Sequence, residues 1–388
     1  NSMENSENIE KVDAVEKLAA SREEVILVAQ KAWPEIMKAI RSEQDRPIKD
    51  SWEYVECPFK DEQNPDRTAP MIVLPSSGCQ HSLEGGCTMC EFGMGRKLTD
   101  EQMALQIEES IGFANERNSG YEKGFYNIAL PGSFFDEREL SRASRQKIYQ
   151  LSSEQSKNHS QLVFETESRL DTITDENLIE LREGLGGDTI IDIAFGVEST
   201  DPIIREGIIN KRLPENYKEI IAKIHEHGMD AIGHVMLKPP FLTESESIDD
   251  AVKSVSELLE DCDYALLMAM SIIPGTLVGK LSERGEYQKP SIWSIIEVIK
   301  RLGPEKVART YFLGLQFEDQ GRESVGGCSE CDPIITPLLK KFHGSHEEYE
   351  ELLTACDGIS CSCKNEWQVK IAKKETLSLE ERVARAID

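Results

Sequence analysis

The chain has 388 residues, 39% hydrophobic and 30% charged, with a net charge of −27 and a pI near 4.8. That length suits one large α/β domain with smaller appendages, and no apolar run reaches the length a membrane span needs. So acidic a surface repels nucleic acid, whose phosphates call for clustered Lys and Arg, unless a partner holds the RNA. Residues 4–44 read as helical, with Val12, Val15, Leu18, Val25, Ile26 and Val28 at broadly helical spacing until Ala32-Trp33-Pro34 breaks the run. Residues 45–70 read as a polar loop. From 71 onward strands and helices alternate. Strands are expected at 71–75, 124–132, 161–168, 189–199, 229–238 and 264–270. Helices are expected at 98–114, capped by Thr99 or Asp100, then at 136–153, 174–185, 201–209, 214–227, 243–260 and 291–302.

Strict alternation implies a parallel sheet with helical crossovers. The fold class expected is α/β: a partial (β/α)6 barrel with an N-terminal helical extension and a small Cys-rich C-terminal metal module. The boundaries read as 1–69 for the extension and loop, 70–325 for the barrel, and 326–388 for the module. Ten cysteines without an export-type opening segment point to a reducing, cytoplasmic compartment, where clustered Cys are metal or redox ligands.

The segment GCQHSLEGGCTMCEFG (78–93) gathers Cys79, Cys87 and Cys90 in a C-x7-C-x2-C array just after the first barrel strand. Barrels place chemistry at that end of their strands. Gly78, Gly85, Gly86, Gly93 and Gly95 give the backbone room to wrap a bound group. Three thiolates can hold three irons of a [4Fe–4S] cube, leaving the fourth open. The other reading is zinc with His81 as fourth ligand, although only one residue separates His81 from Cys79.

Three cysteines at this place resemble the radical S-adenosylmethionine (SAM) superfamily, in the branch that includes the Elongator catalytic subunit. PGSFFDERE (131–139), ETESRLDTITDENL (165–178) and IAFGVESTDPIIREGIINK (193–211) occupy the places of that branch's further motifs. HVMLKPPFLTESESIDDAVKS (234–254), GTLVGKLSERGEYQKPSIWSIIEVI (275–299) and CSCKNEW (361–367) resemble the archaeosine synthase radical SAM subunit family more narrowly. The resemblance implies a [4Fe–4S] cluster whose open iron takes SAM, and reductive cleavage of SAM to a 5′-deoxyadenosyl radical that abstracts hydrogen from substrate. It further implies C–N cleavage of a lysine-modified 7-deazaguanine in tRNA, beside a partner transferase and an electron donor of flavodoxin or ferredoxin type. Two other readings stay open: a small-metabolite substrate for the same chemistry, and a non-enzymatic metal-stapled scaffold.

By position, Pro131, Gly132 and Ser133 would meet the SAM amino group. Glu165 and Glu167 alternate on one strand and share a face, suiting ribose hydroxyls or an ammonium. Gly196 and Glu198 end the fourth strand, and Arg205 beyond it suits a SAM carboxylate. Lys238, before two prolines, and Glu167 are the candidate catalytic residues. Trp293 is expected to pack its helix on the sheet, and His225 and His227 to sit on a helix surface. Cys328, Cys331, Cys361 and Cys363 form a four-thiol set that reads as zinc, with an auxiliary iron–sulfur cluster as the alternative.

Overall fold

The computed structural model describes residues 21–43, 51–58, 61, 63–64, 67–91, 95–313 and 325–387. The expected start of the first helix and Gly93 lie outside the described residues. One eight-stranded sheet runs in the order β1-β2-β3-β4-β5-β6-β7-β8. Seven of its strands are parallel: β2 (Thr68–Val73), β3 (Lys123–Ala129), β4 (Gln161–Glu167), β5 (Ile190–Glu198), β6 (Asp230–Leu237), β7 (Tyr264–Ala269) and β8 (Thr310–Leu313). Neighbours in sequence are neighbours in space, so the sheet is an open partial barrel.

Two strands escaped the sequence reading. β1 (Glu53–Pro58) pairs antiparallel with β2 inside the segment read as loop. Its charged and Pro residues suit an edge strand and hide the alternation. β8 spans only four residues, too short for a periodic signal. The first helix, α1 (Arg22–Ser42), also runs through Pro34 without ending. Trp33, fully buried, anchors that turn by donating its indole N–H to the Gly207 carbonyl at 2.7 Å. The packing outweighs the lost helical hydrogen bond.

After β2 come a single turn, α2 (Gln80–Leu83), and then α3 (Asp100–Asn118), α4 (Arg142–Ser153), α5 (Asp175–Leu185), α6 (Tyr217–Glu226), α7 (Glu244–Asp261), α8 (Leu277–Glu283) and α9 (Ile292–Val307). Thr99, rather than Asp100, caps α3 in a capping box with Gln102, and Thr243 and Glu246 do the same for α7. Residues 137–139 form a turn, so α4 starts later than expected, behind its Ser141 cap. The expected helix at 201–209 is a π-helical segment, Ile203–Ile208.

The outward strand faces, such as Phe164, Ile191, Ile193 and Val235, join the helices in one core. That core continues into α10 (Asp332–Lys340), α11 (His346–Asp357) and α12 (Ser362–Ala372) through Ile335, Leu352 and Trp367. A last helix, α13 (Leu379–Ile387), packs with α1 in a second core through Val383. Among the described residues, no helix is long and apolar enough to cross a membrane.

Candidate functional site

The three-cysteine loop lies at the C-terminal end of β2. Its seven-residue gap is a built element: α2 followed by Glu84-Gly85-Gly86. Arg41, in the last turn of α1, donates to the carbonyls of Ser82, Gly86 (2.8 Å), Cys87 (3.0 Å) and Cys90 (3.3 Å). One guanidinium thus fixes the loop's curvature and brings positive charge to the thiols. Gly85, at φ 91°, lets the loop reach α1, because a Cβ there would lie 2.5 Å from the Pro34 Cα. On its other side the loop is tied to the π segment. Thr88 donates its N–H to the Ile209 carbonyl (2.9 Å) and its hydroxyl to that of Ile208 (2.8 Å).

Cys87, Glu198, Asn210, Lys238 and Phe241 all have positive φ without being glycine. All five follow or end barrel strands or line the cysteine loop. Such left-handed conformations cost free energy and persist where surrounding structure enforces them, commonly at functional sites.

A buried carboxylate, Glu139, knots the loops after β2 and β3. It accepts the backbone N–H of Gln80 (2.9 Å), that of Ser133 (2.6 Å) and the Arg169 guanidinium (2.7 Å). Arg169 also reaches Asp136 (2.6 Å) and points Nη1 at the Cys79 sulfur, 3.6 Å away. Burial alone would raise the Asp136 carboxyl, yet hydrogen bonds from Arg138 and Arg169 bring it down to about 2. Pro131 accepts the Ser76 hydroxyl at 3.1 Å. Ser133 is buried, with its hydroxyl against Thr172 and accepting the Arg169 N–H at 3.1 Å. At Gly132 a Cβ would collide with Glu139 at 1.7 Å, so the backbone passes close to Cys79 only because that position is glycine.

Across the loop, Lys211 pairs with Glu198 at 2.7 Å. Burial works against the Lys211 charge, but Glu198 and the Cys87 thiolate hold it above the ordinary lysine value. For Cys87 burial pushes the thiol up while Lys211, Arg41 and Arg169 pull it down. Gly196 leaves room for this pair, since its Cβ would sit 2.0 Å from the Lys211 Nζ. His81 is half-buried and held below its usual value by desolvation and by Lys211, and its Nε2 lies 3.1 Å from the Asn210 carbonyl. A cleft of about 550 Å³ opens between these groups, lined by His81, Arg138, Arg169, Gly196, Lys211 and Arg212 among others. Pro131, Ser133, Glu165 and Arg205 are not in its lining. Arg205 instead donates to the Ser199 carbonyl (3.3 Å) and to Glu206 (2.8 Å).

The barrel lumen below is acidic. Asn127, Glu165, Asp192 and Asp230 stand in register across four strands. Glu165, half-buried, accepts from Asn127 at 2.8 Å, and Glu167 lies 3.6 Å from the His234 Nδ1. Burial and the Glu167 charge push the Glu165 carboxyl up to about 7. Its folded value exceeds its unfolded one, so the folded state binds more protons, and stability falls as pH rises from about 4.5 to 7. Above that range ionising this half-buried carboxyl costs on the order of 3 kcal/mol. Glu165→Gln is therefore expected to flatten the pH dependence of urea unfolding across this window and to stabilise the protein at pH 8.

Lys238 follows β6 with its ammonium only 2.5 Å from Glu244, both buried. Glu244 also accepts the Ser294 hydroxyl (2.5 Å), and Ser294 in turn accepts the Trp367 indole N–H (2.9 Å). Trp293 is buried, as expected, but its N–H turns to the Cys363 sulfur at 3.3 Å rather than serving the sheet alone. His225 and His227 face Asp263 and Asp175 near the end of α6. The four C-terminal thiols converge, with sulfurs 3.8 Å (Cys328–Cys331), 3.4 Å (Cys331–Cys363) and 3.5 Å (Cys361–Cys363) apart. Their ligand atoms all lie within 4.8 Å of one another, the only such group of three or more among the described residues.

The loop residues fit a [4Fe–4S] cube better than a single ion. Cys79, Cys87 and Cys90 do not crowd into one ion's shell, and a cube takes one thiolate per iron. His81 directs its Nε2 to the Asn210 carbonyl, and His81 is not grouped with the three cysteines as a set of ligand atoms around one ion. Arg41, Arg169 and Lys211 offset the negative charge of thiolates and sulfides. Sequence reasoning missed Arg41, Glu139, Arg169 and Lys211. The last three fall inside quoted motifs, but nothing at the sequence level says that they meet. Arg41 carried no signal, being 38 residues before Cys79 and beyond the break expected at Pro34.

No family model matches the chain. It is 28% identical over 308 residues to an uncharacterized protein of Methanocaldococcus jannaschii, covering 77% of this chain and 81% of that one. To archaeosine synthase subunit beta of Methanosarcina acetivorans it is 27% identical over 304 residues, covering 76% and 83%. Among solved structures it resembles the radical SAM methyltransferase TsrM of Kitasatospora setae, bound to cobalamin and a [4Fe–4S] cluster. That match has 11% identity and a TM-score of 0.41, covering 74% of this chain and 61% of the other. The fold is an α/β open partial barrel built on one eight-stranded sheet. By sequence the chain is similar to archaeosine synthase beta subunits, at 27% identity.

Proposed function

We propose that the chain is a radical SAM enzyme whose cluster is held by Cys79, Cys87 and Cys90. The observation that carries this is the strained three-thiol loop at the barrel mouth, ringed by Arg41, Arg169 and Lys211 and facing the cleft. Cys79, Cys87 and Cys90 would hold the cluster, which with SAM bound would supply one-electron, hydrogen-abstracting chemistry at the cleft. The chain's own residues do the rest. Glu139 and Arg169 lock the loops after β2 and β3 in register. The Lys211–Glu198 pair closes one wall. The cleft's Arg138, Arg169, Lys211 and Arg212 suit an anionic group such as a carboxylate.

For the reaction, the similarity to archaeosine synthase beta subunits supports cleavage of a lysine-modified 7-deazaguanine in tRNA, with a transferase partner presenting the RNA and a flavodoxin- or ferredoxin-type donor. The charge of −27 favours a second reading, a small metabolite as substrate. Reduction under anaerobic conditions with SAM is expected to release 5′-deoxyadenosine from the wild type and none from Cys87→Ser. Lysine-modified tRNA added with the partner transferase should then raise that yield. No 5′-deoxyadenosine from the wild type would sink the enzyme reading. A yield that tRNA leaves unchanged would shift the substrate to the second reading.

A further inference from the structure

We propose that Cys328, Cys331, Cys361 and Cys363 hold one tetrahedral ion of the zinc type, and that this ion positions Lys238 at the barrel mouth through Trp367, Ser294 and Glu244. The inference is independent of the radical reading.

The sulfur geometry sets the nuclearity. With metal–sulfur bonds of about 2.3 Å, a tetrahedral shell places its sulfurs about 3.8 Å apart. The observed separations of 3.4–3.8 Å are those of a single-ion shell already drawn together. An auxiliary cluster carries one thiolate on each of several irons and needs a wider cage. The surroundings are those of a finished metal knuckle. Cys328 donates its N–H to the Cys331 sulfur at 3.3 Å, and Trp293 donates to Cys363 at 3.3 Å. Gly327 is bare because a Cβ there would lie 2.4 Å from the Cys331 sulfur.

The ion's place in the fold gives it a task. Cys361 caps α12, Cys363 lies in its first turn, and Trp367 follows one turn later. Fixing both cysteines therefore fixes where the Trp367 indole points. That indole holds Ser294 at 2.9 Å, Ser294 holds Glu244 at 2.5 Å, and Glu244 holds the Lys238 ammonium at 2.5 Å. Every member of this chain is buried. The Tyr287 hydroxyl donates to the Lys238 carbonyl at 2.7 Å, which secures the same residue from its backbone side. Lys238 itself keeps a positive φ of 65°. The lysine at the mouth of the barrel is thus aimed by a module whose cysteines lie 90 or more residues later in sequence.

The test uses the full-length protein, purified without air. Metal analysis should find about one zinc per chain in the wild type and in the Cys79/Cys87/Cys90→Ser variant. Cys361→Ser and Cys363→Ser should lose the zinc and keep the loop's iron. Several irons surviving in the triple variant, or zinc-free wild type, would overturn the single-ion assignment. Refilling with cobalt should give the visible absorption of a tetrahedral thiolate site, and its absence would count equally against it. Trp367→Phe should keep the zinc and the fold but free Ser294. Acetic anhydride labelling of Lys238, read by mass spectrometry, should then rise roughly tenfold as the buried network opens. Labelling at the wild-type rate in Trp367→Phe would overturn the positioning role, whatever the metal count.

Discussion

Glu139→Ala is expected to cost about 3–5 kcal/mol and to leave the cysteine loop unable to retain iron. The carboxylate is fully buried and holds three donors: Gln80 N–H, Ser133 N–H and the Arg169 guanidinium. Removing it strands two backbone donors and leaves Arg169 leaning on Asp136 and Asp171 alone. Cys79 immediately precedes Gln80, so the first ligand loses its tether. Glu139→Gln keeps the shape and part of the acceptor capacity and should lose less. Urea unfolding and iron per chain measure both effects. An alanine variant that holds wild-type iron and stability would remove Glu139 from the site's support.

Arg41→Met should be next in size, at about 3 kcal/mol, and should act mainly on the cysteine loop. Four loop carbonyls, those of Ser82, Gly86, Cys87 and Cys90, share this one guanidinium. Methionine keeps the apolar stem and removes every donor. Hydrogen exchange should quicken in residues 80–90 and in the last turns of α1, while the strands keep their protection. Iron should be lost faster on exposure to air. Equal exchange in the two proteins would mean that α1 does not brace the loop. The seven-residue gap between Cys79 and Cys87 is explained by the same contact, since α2 and Gly85 form the surface on which α1 docks.

The barrel was legible because strands buried on both faces read as short apolar runs, and the helices between them carry Thr and Ser caps at their starts. β1 and β8 were not legible: one is a charged edge strand and the other spans four residues. Pro34 misled because propensity is local, while Trp33's burial and its bond to Gly207 are not. The cysteines could be found since thiol spacing is itself the signal. Their charge environment could not, because Arg41, Arg169 and Lys211 come from three distant elements. Arg205 and Lys238 show the reverse problem. Both stood at expected positions, yet Arg205 is engaged by Ser199 and Glu206, and Lys238 by Glu244.

Iron, sulfide and electron paramagnetic resonance on protein purified without air test the central claim most directly. The account predicts about four irons of cluster origin bound by Cys79, Cys87 and Cys90, absent from the triple serine variant, with a reduced spectrum that changes when SAM is added. Zinc in that loop in place of iron, or a reduced spectrum indifferent to SAM, would contradict it.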